Sequence, residues 1–396
     1  MSDALAGPPP LAASLPRTAD ACVIGAGVMG LFTALALRRR GREVVVVDRG
    51  WPGCEASAAN AGTLAVQNKS LPLVPLVRRA IARWAALSEE TGFDIEYERR
   101  GGLRLAHSPE DVAALERSVA SQRAVGLDVT LLQGRELATF APYLSPAVRA
   151  AGFCPDDGMA NPLASTRALL LACRRSGVAV VPQAGVTALR AGATGGFTVV
   201  TRAGAIACRD VVAAAGTWLV DLCAMVGVTL RIEPEVLQVA ITESGAPLFP
   251  HVVSHVRGNL TLKQQRLSGK VMVGGGWKGR GDAATGRKDV DHDNLADNLR
   301  WAVAAIPGIA GRRLLRAWAG FEGRTPDKLL VVGPVGAPPG FHVVGCTGGG
   351  YTVSPAAGEL AAALVDGEPH GADVEPLLVR RLIRHETPVS ATTGPP

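Results

Sequence analysis

The stretch ACVIGAGVMGLFTALALRRRGREVVVVDRG, residues 21–50, decides how this chain folds at its start. A short apolar run, Ala21 to Ile24, meets three glycines, Gly25, Gly27 and Gly30, and a second apolar run extends from Val28 to Arg40. The first run has the composition of a buried parallel strand and the second that of a helix. Gly25 permits the tight turn out of the strand. Gly27 lets backbone approach a pyrophosphate, and Gly30 lets the helix pack on the sheet while its first N–H groups face the anion. The next strand, Glu43 to Val47, ends in Asp48, at roughly the spacing where a carboxylate accepts ribose hydroxyls. A lone GxGxxG says little. With strand, helix, second strand and terminal acid in order, it predicts a dinucleotide site, the alternative being a glycine-rich structural turn.

Bulk properties narrow the class. At 396 residues the chain is long for one core, so two lobes are expected. Hydrophobic residues at 47% and charged residues at 19% are an ordinary globular balance. The mean hydropathy of +0.20 comes from Ala, Val and Gly rather than from a membrane span. No apolar run approaches the ~18–20 residues that a spanning helix needs. Residues 1–18, with three consecutive prolines, read as a flexible leader without the basic start of a signal peptide, and 386–396 as a flexible tail. Seven scattered cysteines with no CxxC pair point to a reducing, cytoplasmic compartment and against a zinc or iron–sulfur site. The formal charge of +6 suits anionic ligands, but no basic-aromatic stripe of the nucleic-acid kind is present.

Beyond Asp48, RGWPGCEASAANAGTLAVQNKS is too rich in small residues for a core and suits a loop lying on a ligand. Helices are expected over Leu76 to Glu90, over PEDVAALERSVASQRAVG, from Pro162 to Gly177 and over NLADNLRWAVAAIP. A buried strand is expected at Val211 to Ala215, and residues 236–276 are strand-rich. Near the end, a strand (Phe341 to Val344), three glycines (Gly348, Gly349, Gly350) and a helix from about Pro355 to Val365 form a second helix start facing an anion. A nicotinamide unit needs no such late return. FAD extended along its lobe does.

These stretches resemble the D-amino-acid-oxidase-like FAD oxidoreductases, which include glycine and sarcosine oxidases and the FAD subunits of opine and hydroxyproline dehydrogenases. VIGAGVMG…VVVVD, ASAANAGTL, DDGMANP, AAGTWL and WAGFEGRTPDKLLVVGP…GCTGGGYTVSPAAG carry the resemblance, from about Ala19 to about Gly367. It implies an α/β fold: a Rossmann-type FAD-binding lobe (19–85, 150–230 and 323–385) with an inserted antiparallel-sheet α+β substrate lobe (86–149 and 231–322). It further implies that Gly25, Ala26, Gly27, Val28, Met29 and Gly30 hold the pyrophosphate, and Asp48 with Arg49 the ribose region. Ser57, Asn60, Ala61, Gly62 and Thr63 would lie along pyrophosphate and flavin, and Val186 beside the adenine. Ala215, Gly216 and Trp218 would form the second turn of that lobe, with Gly348, Gly349, Gly350, Tyr351 and Thr352 at the isoalloxazine ring. The implied reaction is oxidation of the C–N bond of an amino acid, or of an N-substituted or cyclic one, to an imine that hydrolyses. A non-catalytic FAD-binding subunit and a simple D-amino-acid or glycine oxidase are the alternatives. Without an iron–sulfur ligand set, such a dehydrogenase passes its electrons to a partner subunit or to a diffusible acceptor.

Two departures sharpen the reading. Amino-acid oxidases of this kind often carry GLRP, whose Arg grips the substrate carboxylate; here GFEGRTPD puts Glu322 there and Arg324 two residues later. Glutamate favours a protonated amine over a carboxylate. No cysteine lies near Glu322, where covalently attached flavin occurs in monomeric sarcosine oxidases, so noncovalent FAD is expected. Cys346 reads as a small buried residue. Candidates for chemistry are Glu322, Arg324, Tyr351, His255 and Lys263. The last sits roughly where related oxidases place a lysine that helps oxygen reach reduced flavin, or is a solvated strand residue. His251 and His255, four apart in a strand, need not share a face, and no metal is expected.

Overall fold

The computed structural model describes residue 11, residues 14–346 and residues 348–384. The leader expected over 1–18 lies largely outside these residues and the tail over 386–396 wholly so.

Valine alternation organises the first of two eight-stranded sheets. Its central path runs Val331–Pro334, Phe341–Gly345, Gly204–Ala213, Thr18–Ile24, Val44–Val47, Ala179–Val181, with Phe197–Thr201 and Val186–Ala191 added antiparallel beside Gly204–Ala213. Strands 18–24, 44–47, 179–181, 204–213 and 341–345 are mutually parallel where they pair. In a strand successive side chains take opposite faces. Val44 and Val46 accordingly enter one core with helix Val28–Arg39, and Val45 and Val47 another with Val211, Ala213 and Leu219. A sheet covered on both faces needs near-continuous apolar strands, and VVVV supplies one.

The second sheet runs Leu314–Arg324, Glu233–Thr242, Val271–Gly274, Thr261–Gln264, Val252–His255, Gly102–Ala106, Ala150–Cys154, Thr130–Gln133. All its neighbours are antiparallel except 252–255 with 102–106. Strand 150–154, in the 150–230 segment that the sequence reading gave to the FAD lobe, pairs into this second sheet; strand 314–324 runs through the boundary at 322. Such boundaries follow hydrogen-bonding partners, which composition does not reveal. Helix Pro109–Ala124 covers part of the sheet and starts on a capping box, with the Ser108 side chain and Asp111 each bonded to the other's backbone.

Two helices differ from expectation. The segment after Asp48 contains a short helix, Ala56–Ala59, and a two-residue strand, Thr63–Leu64, paired with Gly158–Met159. The last helix spans Gly350–Val365, starting on the glycine cluster rather than at Pro355. Proline offers no N–H, so Pro355 cannot bond the Tyr351 carbonyl. The Ser354 hydroxyl donates to that carbonyl at 2.8 Å and the helix runs through.

Helices 28–39 and 350–365 pack almost backbone to backbone. A Cβ at Gly358 would stand 2.7 Å from Thr33 N and 2.8 Å from Phe32 C and Cβ. Gly358→Ala therefore forces the two helices apart and is expected to destabilise the protein by about 1–3 kcal/mol. Denaturant unfolding of the holoprotein measures this; unchanged stability would show that the contact yields freely.

Candidate active site

Both helix starts, Val28 and Gly350, open onto one cavity of about 1140 Å³. It extends from Asp48, Arg49 and Val186, past Gly25 and Gly27, to Gly348–Gly350, and on to Ser254, Thr261 and Gly274 of the second sheet. The glycines are there for clearance. Gly25 has φ +115°, and a Cβ on it would lie 2.5 Å from Ala214 O; a Cβ on Gly30 would collide with the Gly25 carbonyl. Asp48 fixes the turn, its carboxylate accepting from Ala26 N at 2.7 Å and Gly50 N at 2.8 Å. Ser57 Oγ accepts from Val28 N at 3.0 Å. Arg49 lies over the Trp218 ring, 3.4 Å from its centroid.

Of the expected cofactor residues, Gly25, Gly27, Val28, Met29, Asp48, Arg49, Ser57, Asn60, Ala61, Gly62, Thr63, Val186, Ala215, Gly216, Trp218, Gly348, Gly349, Gly350 and Tyr351 line the cavity. Ala26 and Gly30 stand behind its wall, and buried Thr352 bonds the Thr63 carbonyl at 3.1 Å. A dinucleotide fits what remains. The hydroxyls of Thr63 and Thr217, both at the cavity, are buried without a hydrogen-bond partner among the described residues, and two helix N-termini border the same space.

The chemistry candidates fall into different settings. Glu322 ends a polar chain: Lys278 pairs with Glu235 at 3.2 Å, Glu235 with Arg324 at 2.8 Å, and Arg324 with Glu322 at 3.0 Å. Antiparallel pairing of Glu235 with Glu322 puts these side chains together. Glu322 Oε1 also accepts from Gly349 N at 3.1 Å, so its charge sits at a helix N-terminus. Tyr351 lies on the cavity wall but sends its ring into the core, 4.6 Å from the Trp84 ring, and its hydroxyl bonds Ser165 Oγ at 2.7 Å. Its phenol is a packing group. Lys263 is fully enclosed behind Gly62, donates to Ala160 O at 3.0 Å, and is brought down to about 7 by desolvation, which Glu96 and Glu98 oppose only in part. The solvated alternative for Lys263 is thereby corrected: strand 261–264 is interior.

His255 borders the cavity, yet its ring is packed 5.1 Å from His107 and 5.0 Å from Trp301. Its Nδ1 accepts from Arg257 N at 3.2 Å. His251 is bonded through Nδ1 to the Tyr143 hydroxyl at 2.5 Å, in a separate aromatic cluster. Cys346 is buried, its thiol pushed up by desolvation and donating to Gly216 O at 3.0 Å. Missed by sequence reading were Lys69 and Arg104 at the cavity and Asp157 behind it. The signal for the first was a lone lysine closing NAGTLAVQNK, a segment otherwise small and neutral.

Comparison with known proteins now has a geometry to rest on. The model of the FAD dependent oxidoreductase family (DAO) matches residues 20–364. The chain belongs to this family. It is 28% identical over 373 residues to glycine oxidase from Geobacillus kaustophilus, covering 92% of this chain and 97% of that protein. One of the chains of opine oxidase from Rhizobium meliloti is 27% identical, with 83% of this chain and 89% of that one covered. The structure of L-proline dehydrogenase from P. horikoshii superposes with TM-score 0.84 at 26% identity, covering 93% and 98% of the two chains. FAD is thus the cofactor of this oxidoreductase, in an α/β fold shared with glycine oxidase and proline dehydrogenase. Among the described residues no helix is long and apolar enough to cross a membrane.

His255 is expected to make the fold less stable toward acid. Burial and neighbouring His107 hold its pKa at about 4 against 6.5 when exposed, with Asp111 opposing. The unfolded chain then binds the extra proton, so stability is expected to fall, by at most about 3 kcal/mol, as pH drops from 6.5 to about 4. Asp157, raised to about 6 by burial, works in the opposite direction within that window, His107, His251 and His342, lowered by desolvation, in the same direction as His255, and Asp111, lowered to about 2 from 3.8, acts below it. Chemical denaturation of wild type and His255→Gln across this range isolates the contribution: the variant is expected to lose less stability than wild type toward pH 4, by up to about 3 kcal/mol, and an equal pH dependence in the two would refute the assignment.

Proposed function

We propose that this chain oxidises the C–N bond of an amino acid or an N-substituted amino acid, giving an imine that water hydrolyses. One observation supports this above others: the nucleotide groove and the face of the second sheet form a single cavity. A substrate on that sheet therefore meets the end of the cofactor that the Gly348–Gly350 turn approaches. When bound, the flavin supplies a two-electron acceptor for the hydrogen on the carbon that bears the amine.

The roles of the chain's residues follow from their places. Gly25, Gly27 and Val28 offer backbone to the pyrophosphate, and Asp48 and Arg49 border the ribose and adenine end. Glu322, held in place by Arg324 and Gly349 N, lines the cavity with an acidic group that favours an amine. Lys263, with a pKa near 7, holds or releases a proton at its Nζ behind Gly62. The chain divides accordingly into an FAD-binding part built on the first sheet and a substrate-binding part on the second. Seven unpaired thiols support a reducing, cytoplasmic setting, and similarity to one chain of opine oxidase supports an electron-accepting partner.

Anaerobic mixing tests the reading. The purified protein is expected to be yellow, to release FAD on acid denaturation, and to be bleached by a member of a panel of amino acids, prolines, N-methyl and N-carboxyalkyl amino acids. Bleaching by dithionite but by no panel member would favour a non-catalytic FAD-binding role. Lys263→Met should leave anaerobic bleaching within about threefold of wild type and slow reoxidation by oxygen; equal reoxidation rates would remove Lys263 from that role.

A further inference from the structure

Among the described residues, Lys69 and Arg104 border the cavity without a counter-ion at contact distance. Lys69 lies against Gly349, where any side-chain carbon would collide with its Nζ. Among the described residues no carboxylate reaches ion-pair distance of it, although Glu322 and Asp157 act on it from further away. Arg104, on strand 102–106, gives its terminal nitrogens to neutral acceptors: Gln67 O at 3.3 Å, Ser118 Oγ at 3.1 Å and Val256 O at 3.1 Å. Its Nε is buried with no acceptor among the described residues.

The nearby acids are spent elsewhere. Asp157 accepts from Val66 N at 2.6 Å, Gln67 N at 3.4 Å and Gln67 Nε2 at 2.9 Å. Glu322 is held by Arg324 and Gly349 N, and Asp111 by Arg257 at 2.6 Å. Desolvation lowers the pKa of both cations, so enclosing them costs free energy that an anionic ligand would offset.

The two charges belong to one locus. Arg104 holds the Gln67 carbonyl, and Lys69 follows two residues later, at most about 7 Å of backbone away. Ser254 pairs in register with Arg104 and its hydroxyl bonds Asn68 Oδ1 at 3.3 Å, which ties the sheet face to the same turn. On the same cavity wall, Glu322 presents the negative charge suited to an amine.

Resting on the C–N oxidation proposed above, we propose that the substrate carries two acid groups flanking a secondary amine, an N-(carboxyalkyl) amino acid, with one carboxylate on Lys69 and the distal one on Arg104. Lys69, nearer the Gly348–Gly350 turn, takes the carboxylate beside the carbon that is oxidised. Arg104 sets specificity for the second.

Binding of non-oxidisable analogues to the holoenzyme tests this apart from turnover. Flavin difference spectra are recorded with diglycolate, in which an ether oxygen replaces the amine, and with its one-acid counterpart methoxyacetate. Diglycolate is expected to bind at least about tenfold more tightly, the worth of one charge-assisted contact. Arg104→Met should abolish that preference while leaving methoxyacetate affinity unchanged, and Lys69→Met should weaken both, each with full FAD content. Because Arg104 also ties three neutral groups together, Arg104→Lys provides the control: it retains the charge and should retain most of the preference. Equal affinity for the two analogues in wild type would overturn the proposal, as would a preference that survives Arg104→Met. So would Lys69→Met if it altered FAD content but not anion affinity. If sarcosine bleaches the flavin while diglycolate shows no preference, the two-acid assignment fails and C–N oxidation stands. If diglycolate binds as expected but no amine bleaches the flavin, the oxidation reading fails and the anion site stands.

Discussion

The close approach of Gly358 to the backbone of Phe32 and Thr33 is the contact on which the site depends. It joins a helix from the start of the chain to one near its end, both packed in one core with strands 18–24 and 341–345 below them. Their N-termini consequently point at the same cavity. Trp84 reinforces the arrangement by stacking on Tyr351 and donating to Thr352 O at 3.0 Å, fastening helix Val74–Thr91 to the first turn of helix 350–365. Side chains hold the backbone at both helix starts, Ser57 Oγ accepting from Val28 N at 3.0 Å and Glu322 Oε1 from Gly349 N at 3.1 Å.

Charge in the cavity follows a gradient of commitment. The chain Lys278–Glu235–Arg324–Glu322 compensates itself and ends on helix dipole, which makes it rigid. Lys69 and Arg104 have no ion-pair partner among the described residues and border the cavity. His255, His107 and Trp301 form a neighbouring layer in which desolvation lowers the pKa of both imidazoles. A few ångströms of burial thus decide whether a polar group serves structure or ligand.

Much of the nucleotide half was legible in the chain itself. Residues 21–50 state a strand, a glycine turn, a helix and an acid in consecutive order, and each is specified by its neighbours alone. The second glycine cluster was legible for the same reason, though its helix start was misplaced by five residues because Pro355 reads as a boundary. Ser354 replaces the lost donor at Tyr351 O, a compensation visible only once the two are in space.

The sequence by itself determined the elements, the cofactor class and the glycines that a pyrophosphate needs, since these rest on periodicity and local turn chemistry. Tertiary structure decided what distant residues do to one another. Strand 150–154 joins the second sheet through partners at 102–106 and 130–133. Whether Lys263 is solvated or enclosed is decided by Ala160 and Gly62 closing over it, and Tyr351 lines the cavity while Ser165 bonds its hydroxyl. Lys69 and Arg104 acquire meaning only when the acids near them are seen to be bonded elsewhere. Whether a buried charge has a partner is a property of three-dimensional distance and desolvation, and neither is written in the order of residues.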